Sequence, residues 1–523
     1  MPGAQHRAAA AASTSPSPLM HAVRQAVSEF SENTSIHGVR YIAEHGRRGV
    51  ERLLWIVTEI VCGTGAAYML MNVLTKFNEN PTMTRVESYF HEVSDMPFPA
   101  ITLCNVNRIF RSKAQAFVDS LKMPDGYPAA RQDVMELLPL LGQLLSFAEF
   151  GSEHEGRERL VRILAYNNVS TDALLESLGQ PCGDLIERCS WEGREVNCSR
   201  VFTRTMTYLG FCCSFNAARD FSCVPLPKRI DPNVKKEPLK TPFFGYPLGL
   251  TVLLNPRVDD YFWGPFASGG VVCAVHDANE MATEGTSQAM ASIDKESMVQ
   301  VLPTLRTASA ALRDVTPERR RCLFDDENPL PDTAQYSADV CSLECEAGKI
   351  WRACGCRPVN FPRISGVRGR FCGLGKLACL AKYQEEKHNS MLKSQVPSDK
   401  LPSDPAPGKH ISFLPQGRVK KSNSKAFTPP RALHATADAL SEELYQACGC
   451  LAQCTSVDYD LETTTSNFGA SRWVRRSFYK DVNATSRCLL HVFYDSQTVP
   501  KFINDLVSNN VQLMCRYREV CGR

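Results

Sequence analysis

Residue types that could carry out catalysis are present, but none of their spacings points to an enzyme. The histidines are scattered along the chain and form no H-E-x-x-H zinc motif. No G-x-S-x-G stretch marks a nucleophile elbow. The stretch "CGLGK", 372–376, lacks the first glycine and the following Ser/Thr of a phosphate-binding loop. We therefore expect a protein without enzymatic activity, cofactor or metal.

Cysteine is the residue whose number departs most from an ordinary globular composition. The chain has 22 cysteines, and nineteen of them lie from Cys104 to Cys488. This density is typical of an oxidising compartment and favours disulfides, with free core thiols and zinc clusters as alternatives. The spacings C-x3-C-x8-C-x-C and C-x-C-x3-C differ from the paired C-x2–4-C ligands of zinc fingers. An odd number leaves at least one thiol unpaired or paired outside this set.

The disulfide candidates all lie after residue 100, and their pairing does not follow from the sequence. They are Cys104, Cys182, Cys189, Cys198, Cys212, Cys213, Cys223, Cys322, Cys341, Cys345, Cys354, Cys356, Cys372, Cys379, Cys448, Cys450 and Cys454.

One segment is long and apolar enough to cross a membrane. Residues 53–73 read "LLWIVTEIVCGTGAAYMLMNV", and about 20 apolar residues span the hydrocarbon core. Glu59 is the one charge within it. A buried core helix of a soluble domain is the alternative, but the length and the preceding arginines favour a membrane span. These arginines are Arg40, Arg47, Arg48 and Arg52.

The same arginines predict the orientation, because basic residues flanking a span stay in the cytoplasm. Residues 1–52 are then cytoplasmic, and the bulk of the chain lies outside the plasma membrane. The segment 1–52 contains no cysteine, which agrees with this orientation. Three N-x-S/T sequons fall on the outer side, so Asn168, Asn197 and Asn483 are candidate glycosylation sites.

The remaining chain predicts an α+β ectodomain rich in disulfides, over residues 76–508. Apolar runs with β-branched residues predict strands at 98–105, 249–254, 269–276, 456–465 and 487–494, and helical patterns fill 107–185. Residues 391–431 are rich in proline and Lys/Arg and poor in large apolar residues, which predicts a disordered loop insertion. The net charge of +3 is small and argues against a nucleic-acid partner.

Several stretches together resemble one family. They are "SIHGVRYI" (35–42), "FPAITLCN" (98–105), "TYLGFCCSFN" (207–216), "YSADVCSLECEAGKIWRACGCRPVNFP" (336–362) and "CGCLAQCTSVDYD" (448–460). Their order and spacing are similar to those of the epithelial sodium channel/degenerin family, and in detail to its insect pickpocket branch. The resemblance runs from about residue 30 to 508.

The resemblance implies a trimeric sodium channel that is commonly blocked by amiloride and opened by a ligand or another stimulus. Each subunit of that family has two membrane helices and a hand-like ectodomain, with a β-sheet palm and a helical finger and thumb. It further implies that His37 and Gly38 are the His-Gly pair that influences gating. The cysteine-rich block 336–379 would be the thumb, and strands such as 98–104 and 487–494 would belong to the palm.

The last residues depart from the family pattern. Family members enter a second membrane helix after the last palm strand, whereas "NVQLMCRYREVCGR", 510–523, carries Arg516, Arg518, Glu519 and Arg523. Each such charge costs on the order of 2–4 kcal/mol at mid-bilayer. We therefore expect residues 509–523 to be a divergent tail in place of the second membrane helix and its selectivity residues.

The sequence thus predicts a subunit of a sodium channel that acts in the plasma membrane with other subunits, as a homo- or heterotrimer. The divergent tail adds the expectation that this chain does not conduct sodium by itself. A non-conducting regulatory subunit and a single-pass extracellular receptor module stay open as alternatives.

Overall fold

The fold is known from a computed structural model, which describes residues 18–35, 38–44, 46–79, 81–123, 131–146, 154–218, 237–246, 248–327, 336–361, 371–395, 448–469, 477–482 and 484–507. The chain divides into two compact units. One consists of Met1–Pro81 with Val507–Arg523, and the other is Thr82–Leu506.

The first unit contains three described helices, α1 (Pro18–Asn33), α2 (Val39–Ala43) and α3 (Gly49–Glu79). Helix α3 contains the whole of the predicted span 53–73. It extends a turn or more beyond it at each end, because residues such as Glu51, Arg52 and Lys76 are good helix formers even where they are too polar for lipid.

The second unit is an α+β domain of helices and two larger sheets. Its helices are α4 (Arg111–Ser120), α5 (Arg131–Leu137), α6 (Gln143–Ser146), α7 (His154–Tyr166), α8 (Thr171–Leu178), α9 (Cys182–Leu185), α10 (Cys198–Val201), α11 (Pro317–Arg320), α12 (Ala338–Cys354) and α13 (Leu377–Gln395). Its strands are β1 (Thr82–Glu92), β2 (Ala100–Asn105), β3 (Ile109–Phe110), β4 (Ile186–Trp191), β5 (Arg194–Val196), β6 (Phe202–Thr207), β7 (Gly210–Phe215), β8 (Leu250–Leu254), β9 (Tyr261–Trp263), β10 (Gly270–His276), β11 (Ser287–Ser292), β12 (Lys295–Ala308), β13 (Cys322–Leu323), β14 (Ala452–Gln453), β15 (Ser456–Asn467), β16 (Cys488–Tyr494) and β17 (Thr498–Leu506).

The larger sheet is built around β12. Its strand order is β1-β17-β12-β16-β8-β4-β5, and β15 pairs with β12 outside that path. Strand β12 pairs antiparallel with β15 from Lys295 to Arg306. It also pairs parallel with β16 through its first half and with β17 through its last four residues. One 14-residue strand therefore connects the interior of the sheet to its β1-β17 edge.

The second sheet packs against the first through continuous apolar strands. Its order is β11-β10-β2-β7-β6. Every residue of β2, β10 and β16 is buried, so both faces of these strands are covered, as their unbroken apolar runs predict. Phe98 lies fully buried between the sheets, with its ring 4.8 Å from that of Trp191 and 5.2 Å from that of Tyr494.

A second core lies among the helices. It brings Leu138, Leu141 and Leu160 together with Ile350 of α12 and Leu377 of α13. The predicted loop 391–431 begins inside α13, which continues through Gln395, and its residues from 396 onward lie outside the described part of the chain. The α+β class with one membrane helix ahead of a disulfide-rich domain is confirmed.

Candidate functional site

Helix α3 is the candidate membrane span. Gly49–Thr75 has a mean hydropathy of 1.6, and among the described residues it is the one helix long and apolar enough to cross a membrane. A core helix of a soluble protein can be equally long and apolar, but it is mostly buried. Large apolar side chains of α3 are exposed instead, for example 66% of Leu54 and 63% of Val61. Lipid is the environment in which such a surface is stable.

Gly38 immediately precedes α2, and its backbone lies against side chains of α3. Its φ is +91°, a left-handed conformation that L side chains rarely adopt. A Cβ atom there would overlap the carboxylate of Glu59 and lie 3.2 Å from the Trp55 ring. Tyr41 of α2 also packs on Trp55, with ring centroids 4.7 Å apart. Only glycine fits this position without displacing the charged side chain of the membrane helix.

The first and last strands of the second unit lie side by side. Strands β1 and β17 are antiparallel, with Thr82 opposite Leu506. Polar pairs hold them together: Thr84 Oγ1 donates to Asn504 Oδ1 at 2.6 Å, and Arg85 Nη2 lies 3.4 Å from Asp505 Oδ2. A movement of β12 would therefore reach both ends of the unit through β17, since β12 and β17 are hydrogen-bonded.

Helix α12 is braced by disulfides on both sides. The bridges Cys341–Cys450 and Cys345–Cys448 connect it to the segment before β14. Cys354–Cys379 connects its last residue to α13, and Cys356–Cys372 closes the connection between the two helices. This is the block predicted to be the thumb.

The disulfide Cys322–Cys454 connects this braced region to the β1-β17 edge. It packs in a small apolar cluster with Leu312 and Phe324, against which Leu506, the last residue of β17, is also packed. The braced helix thus has a continuous covalent and apolar connection to the strand that ends the unit.

An acidic cluster lies where the connection after β10 meets the start of α12. Glu280 Oε1 accepts a hydrogen bond from Ser337 Oγ, the N-cap of α12, at 3.4 Å. Burial raises the pKa of Glu280 to about 8, and the nearby carboxylates of Asp339 and Asp277 add to this shift. The Glu280 side chain is therefore protonated over most of the physiological range.

His276, at the end of β10, is the second perturbed group in this region. Its Nδ1 donates to the carbonyl oxygen of Asp277 at 2.9 Å, and its Nε2 accepts from Thr102 Oγ1 at 2.8 Å. Burial lowers the pKa of His276 to about 4. The imidazole is therefore neutral at pH 7, in the tautomer that these two partners select.

Two of the three candidate glycosylation sites lie among the described residues. Asn168 and Asn197 are exposed, and Asn197 caps α10 by accepting from the Ser199 backbone N–H; their glycosylation stays a prediction. His37, Asn483 and Cys223 lie outside the described residues. The other candidate cysteines are all bonded, and the remaining disulfides are Cys104–Cys212, Cys182–Cys213 and Cys189–Cys198.

Three described cysteines are free, and they were not among the candidates: Cys62 is exposed, and Cys273 and Cys488 are buried. Burial raises the pKa of both buried thiols to about 12, so they are apolar core groups rather than reactive ones. Within the described ranges no group of His, Cys, Asp and Glu is arranged to hold a metal ion.

The chain thus has a candidate membrane helix, followed by a domain with a disulfide-braced helix and with paired first and last strands. The profile of the family described as amiloride-sensitive sodium channel matches residues 30–516. The chain belongs to this family.

Its curated relatives include insect and mammalian channels. Sodium channel protein Nach of Drosophila melanogaster is 23% identical over 504 residues, 95% of this chain and 83% of that protein. Pickpocket protein 28 of the same species is 28% identical over 395 residues, 71% of this chain and 61% of that protein. The bile acid-sensitive ion channel of Mus musculus is 23% identical over 344 residues, covering 64% of this chain and 60% of the relative. The matches therefore span from three fifths to about four fifths of these relatives.

The close approach of Gly38 to Glu59 predicts that a larger residue at position 38 disturbs the membrane helix. Gly38→Ala should weaken severalfold the effect of this chain on the sodium current of a co-expressed family member that conducts, at equal surface amount. The alanine carries a left-handed strain of about 1–2 kcal/mol and also displaces the Glu59 carboxylate. The measurement is whole-cell current divided by surface-labelled protein, with a conducting family member co-expressed.

Gly46→Ala is the matched control for this variant. Gly46 has a φ of +100°, but a Cβ there would meet nothing within 4 Å. It therefore reproduces the backbone strain without the contact to α3. Glu59→Ala in the Gly38→Ala background should restore part of the effect of this chain on the current, because it removes the carboxylate that the new Cβ meets. Equal losses in the Gly38 and Gly46 variants would show that the contact with Glu59 does not matter.

Proposed function

We propose that the chain is a subunit of an amiloride-sensitive sodium channel of the plasma membrane, gated by a ligand or another stimulus. The family match over residues 30–516 is the observation that carries this proposal, because it includes the membrane helix α3 and the whole domain to β17. The names of two relatives, a sodium channel protein and a bile acid-sensitive ion channel, support transport rather than catalysis as the activity.

The proposed orientation places the N-terminal helices α1 and α2 in the cytoplasm and the disulfide-rich unit outside the cell. The arginines Arg40, Arg47, Arg48 and Arg52 precede the apolar part of α3 and favour the cytoplasmic side. The bridged cysteines all follow α3, where an oxidising environment would let them form. Other subunits of the same family complete the assembly, as a homo- or heterotrimer.

In the proposed mechanism the disulfide-rich unit converts a stimulus into movement of the membrane helices. The braced helix α12 moves as one body, because four bridges hold it and its neighbour α13. The cluster around Cys322–Cys454 passes this movement to Leu506 at the end of β17. Strand β1, hydrogen-bonded to β17, carries it to Thr82, where the unit begins.

Co-expression with a family member that conducts sodium on its own tests assembly. The two chains should co-purify from the cell surface, and the amiloride-sensitive current should differ from that of the partner alone in size or in its response to the stimulus. An unrelated single-span protein at the same surface amount is the control. Absence of co-purification together with an unchanged current would contradict the proposed function.

A further inference from the structure

A small cavity lies below the end of β2, between the second sheet and the helical layer. Its volume is about 30 Å³. This is enough for one or two water-sized groups, because a single water needs about 10–15 Å³. Much of its wall is apolar and includes Leu145, Leu175, Phe211 and Val359. Asn107 and Arg108, which follow β2 in the chain, also line it.

Arg108 is a buried cation without a counter-ion among the described residues. Only 7% of the residue is exposed, and no described carboxylate lies within ion-pair distance of it. Its Nη1 has a weak acceptor, Cys212 Sγ, at 4.0 Å, whereas Nε and Nη2 have no partner. Burial lowers the pKa of Arg108 to about 10, so the guanidinium still carries its charge at pH 7. An uncompensated buried charge is costly, which favours binding of an anion.

The unsatisfied polar atoms at this cavity are all donors. Asn107 Nδ2 has no partner, although its Oδ1 accepts from the backbone N–H groups of Phe262 and Trp263 at 3.1 Å each. The neighbouring side-chain oxygens already accept hydrogen bonds. Asn105 Oδ1 accepts from Asn107 N and Tyr261 Oη, and Gln180 Oε1 accepts from Asn105 Nδ2.

The unpartnered side-chain atoms at this cavity, which are all donors, favour an anion over a water molecule. Water could accept from Arg108 and Asn107, but its hydrogens would meet apolar side chains and oxygens that already accept hydrogen bonds. A neutral water molecule would also leave the buried charge of Arg108 without a counter-ion. A ligand that only accepts hydrogen bonds loses nothing there. The small volume excludes bulky oxyanions, which would also bring more oxygen atoms than the lining has free donors.

We propose that this cavity binds a chloride ion, held by the guanidinium of Arg108 and the side-chain amide of Asn107. The ion neutralises the buried charge and satisfies donors that the protein leaves open. It would stabilise the junction at which the end of β2 meets Leu145 and Val359 of the helical layer. The site involves neither the membrane helix nor the acidic cluster at Glu280, so it does not depend on the proposed transport function.

The test compares purified full-length protein in sodium chloride and in sodium gluconate of equal ionic strength. The thermal unfolding midpoint should rise with chloride and saturate, as expected for a ligand that binds the folded state. Arg108→Gln should lose this dependence. Arg204→Gln is the matched control, since Arg204 is a partly buried arginine that already has a carboxylate partner, Glu176 Oε1 at 3.5 Å. The control should keep the full chloride shift.

A second measurement on the unaltered protein keeps the test decisive if Arg108→Gln does not fold. In bromide, anomalous diffraction should show one peak within hydrogen-bonding distance of both Arg108 and Asn107. Unfolding midpoints that are the same in chloride and gluconate, with no bromide peak, would mean that the cavity holds water only and would overturn the proposal. A bromide peak elsewhere with none at Arg108 would overturn it as well.

Discussion

Glu280→Gln should stabilise the protein progressively, relative to the unaltered chain, as the pH is raised from 6.5 to 8. The reason is that burial raises the pKa of Glu280 from 4.5 to about 8, and the nearby carboxylates of Asp339 and Asp277 add to this rise. The unfolded chain releases this proton at a pH at which the folded protein still binds it. The free energy of unfolding of the unaltered protein therefore falls with pH across this interval, by at most about 1.4 kcal/mol per pH unit and by less as the pH approaches 8. Glutamine cannot ionise, so the variant lacks this loss.

Between pH 6.5 and 8 the contribution of Glu280 to the pH dependence of stability can be measured apart from that of His276. Burial lowers the pKa of His276 from 6.5 to about 4. The stability that depends on the neutral imidazole is therefore fully present above pH 6.5 and is lost as the pH falls toward 4. Below pH 6.5 the two groups have opposite slopes and partly cancel. Above it, Glu280 is the one of these two groups that changes its protonation in the folded protein, and the sign of the pH dependence distinguishes it from His276.

The measurement is the thermal unfolding midpoint of Glu280→Gln and of the unaltered protein at several pH values in that interval. Glu284→Gln is the matched control, because Glu284 is an exposed glutamate in the same connection between β10 and β11. The difference between Glu280→Gln and the unaltered protein should grow with pH, whereas the control should show no growing difference. Parallel pH profiles for all three proteins would contradict the account of the acidic cluster.

Removal of the three nested bridges around α12 should destabilise the protein by more than the sum of the three single removals. Cys345–Cys448 lies within Cys341–Cys450, and both lie within Cys322–Cys454. Their sequence separations are 103, 109 and 132. As long as one of the three bridges remains, it keeps the long loop closed in the unfolded chain. Each further bridge then restricts only the short segments that lie between neighbouring bridges.

The magnitudes follow from loop-closure entropy. Loss of one bridge costs about 2–3 kcal/mol, as for a short loop, whereas loss of the last bridge also releases a loop of about 100 residues, which costs about 4.7 kcal/mol. The paired Cys→Ser variants are compared by thermal unfolding without reductant. Cys189–Cys198, with a separation of 9, is the short-loop control and should cost about as much as a single nested bridge. Strict additivity of the three nested bridges would contradict the nested-loop explanation.

The elements that follow from local pattern were predicted from the sequence with good accuracy. The runs at 249–254 and 487–494 become β8 and β16, which pair antiparallel, and the strand predicted at 269–276 is β10. Such runs can be recognised in the sequence because strands that are buried on both faces consist of unbroken apolar residues. Helix α3 was predicted for the same kind of reason, since its length and apolarity are local properties.

The features that depend on long-range packing could not be predicted in this way. Glu280 and Asp339 lie in different parts of the sequence and meet only because α12 begins beside the end of β10. Arg108 follows a strand in a polar stretch, and nothing in that stretch shows that its guanidinium is buried. The disulfide pairing is likewise a consequence of the fold, although the number and spacing of the cysteines predicted that bridges would be present.

The current carried by cells that express the chain with a conducting family member is the most direct test of its role. At matched surface expression, the proposal predicts an amiloride-sensitive component that differs from that of the partner alone and disappears when external sodium is replaced by N-methyl-D-glucamine. Gly38→Ala in this chain alone should change that component. A current that matches that of the partner alone in sodium dependence and amiloride block, and that does not change when this chain carries Gly38→Ala, would contradict a place for this chain in a sodium channel.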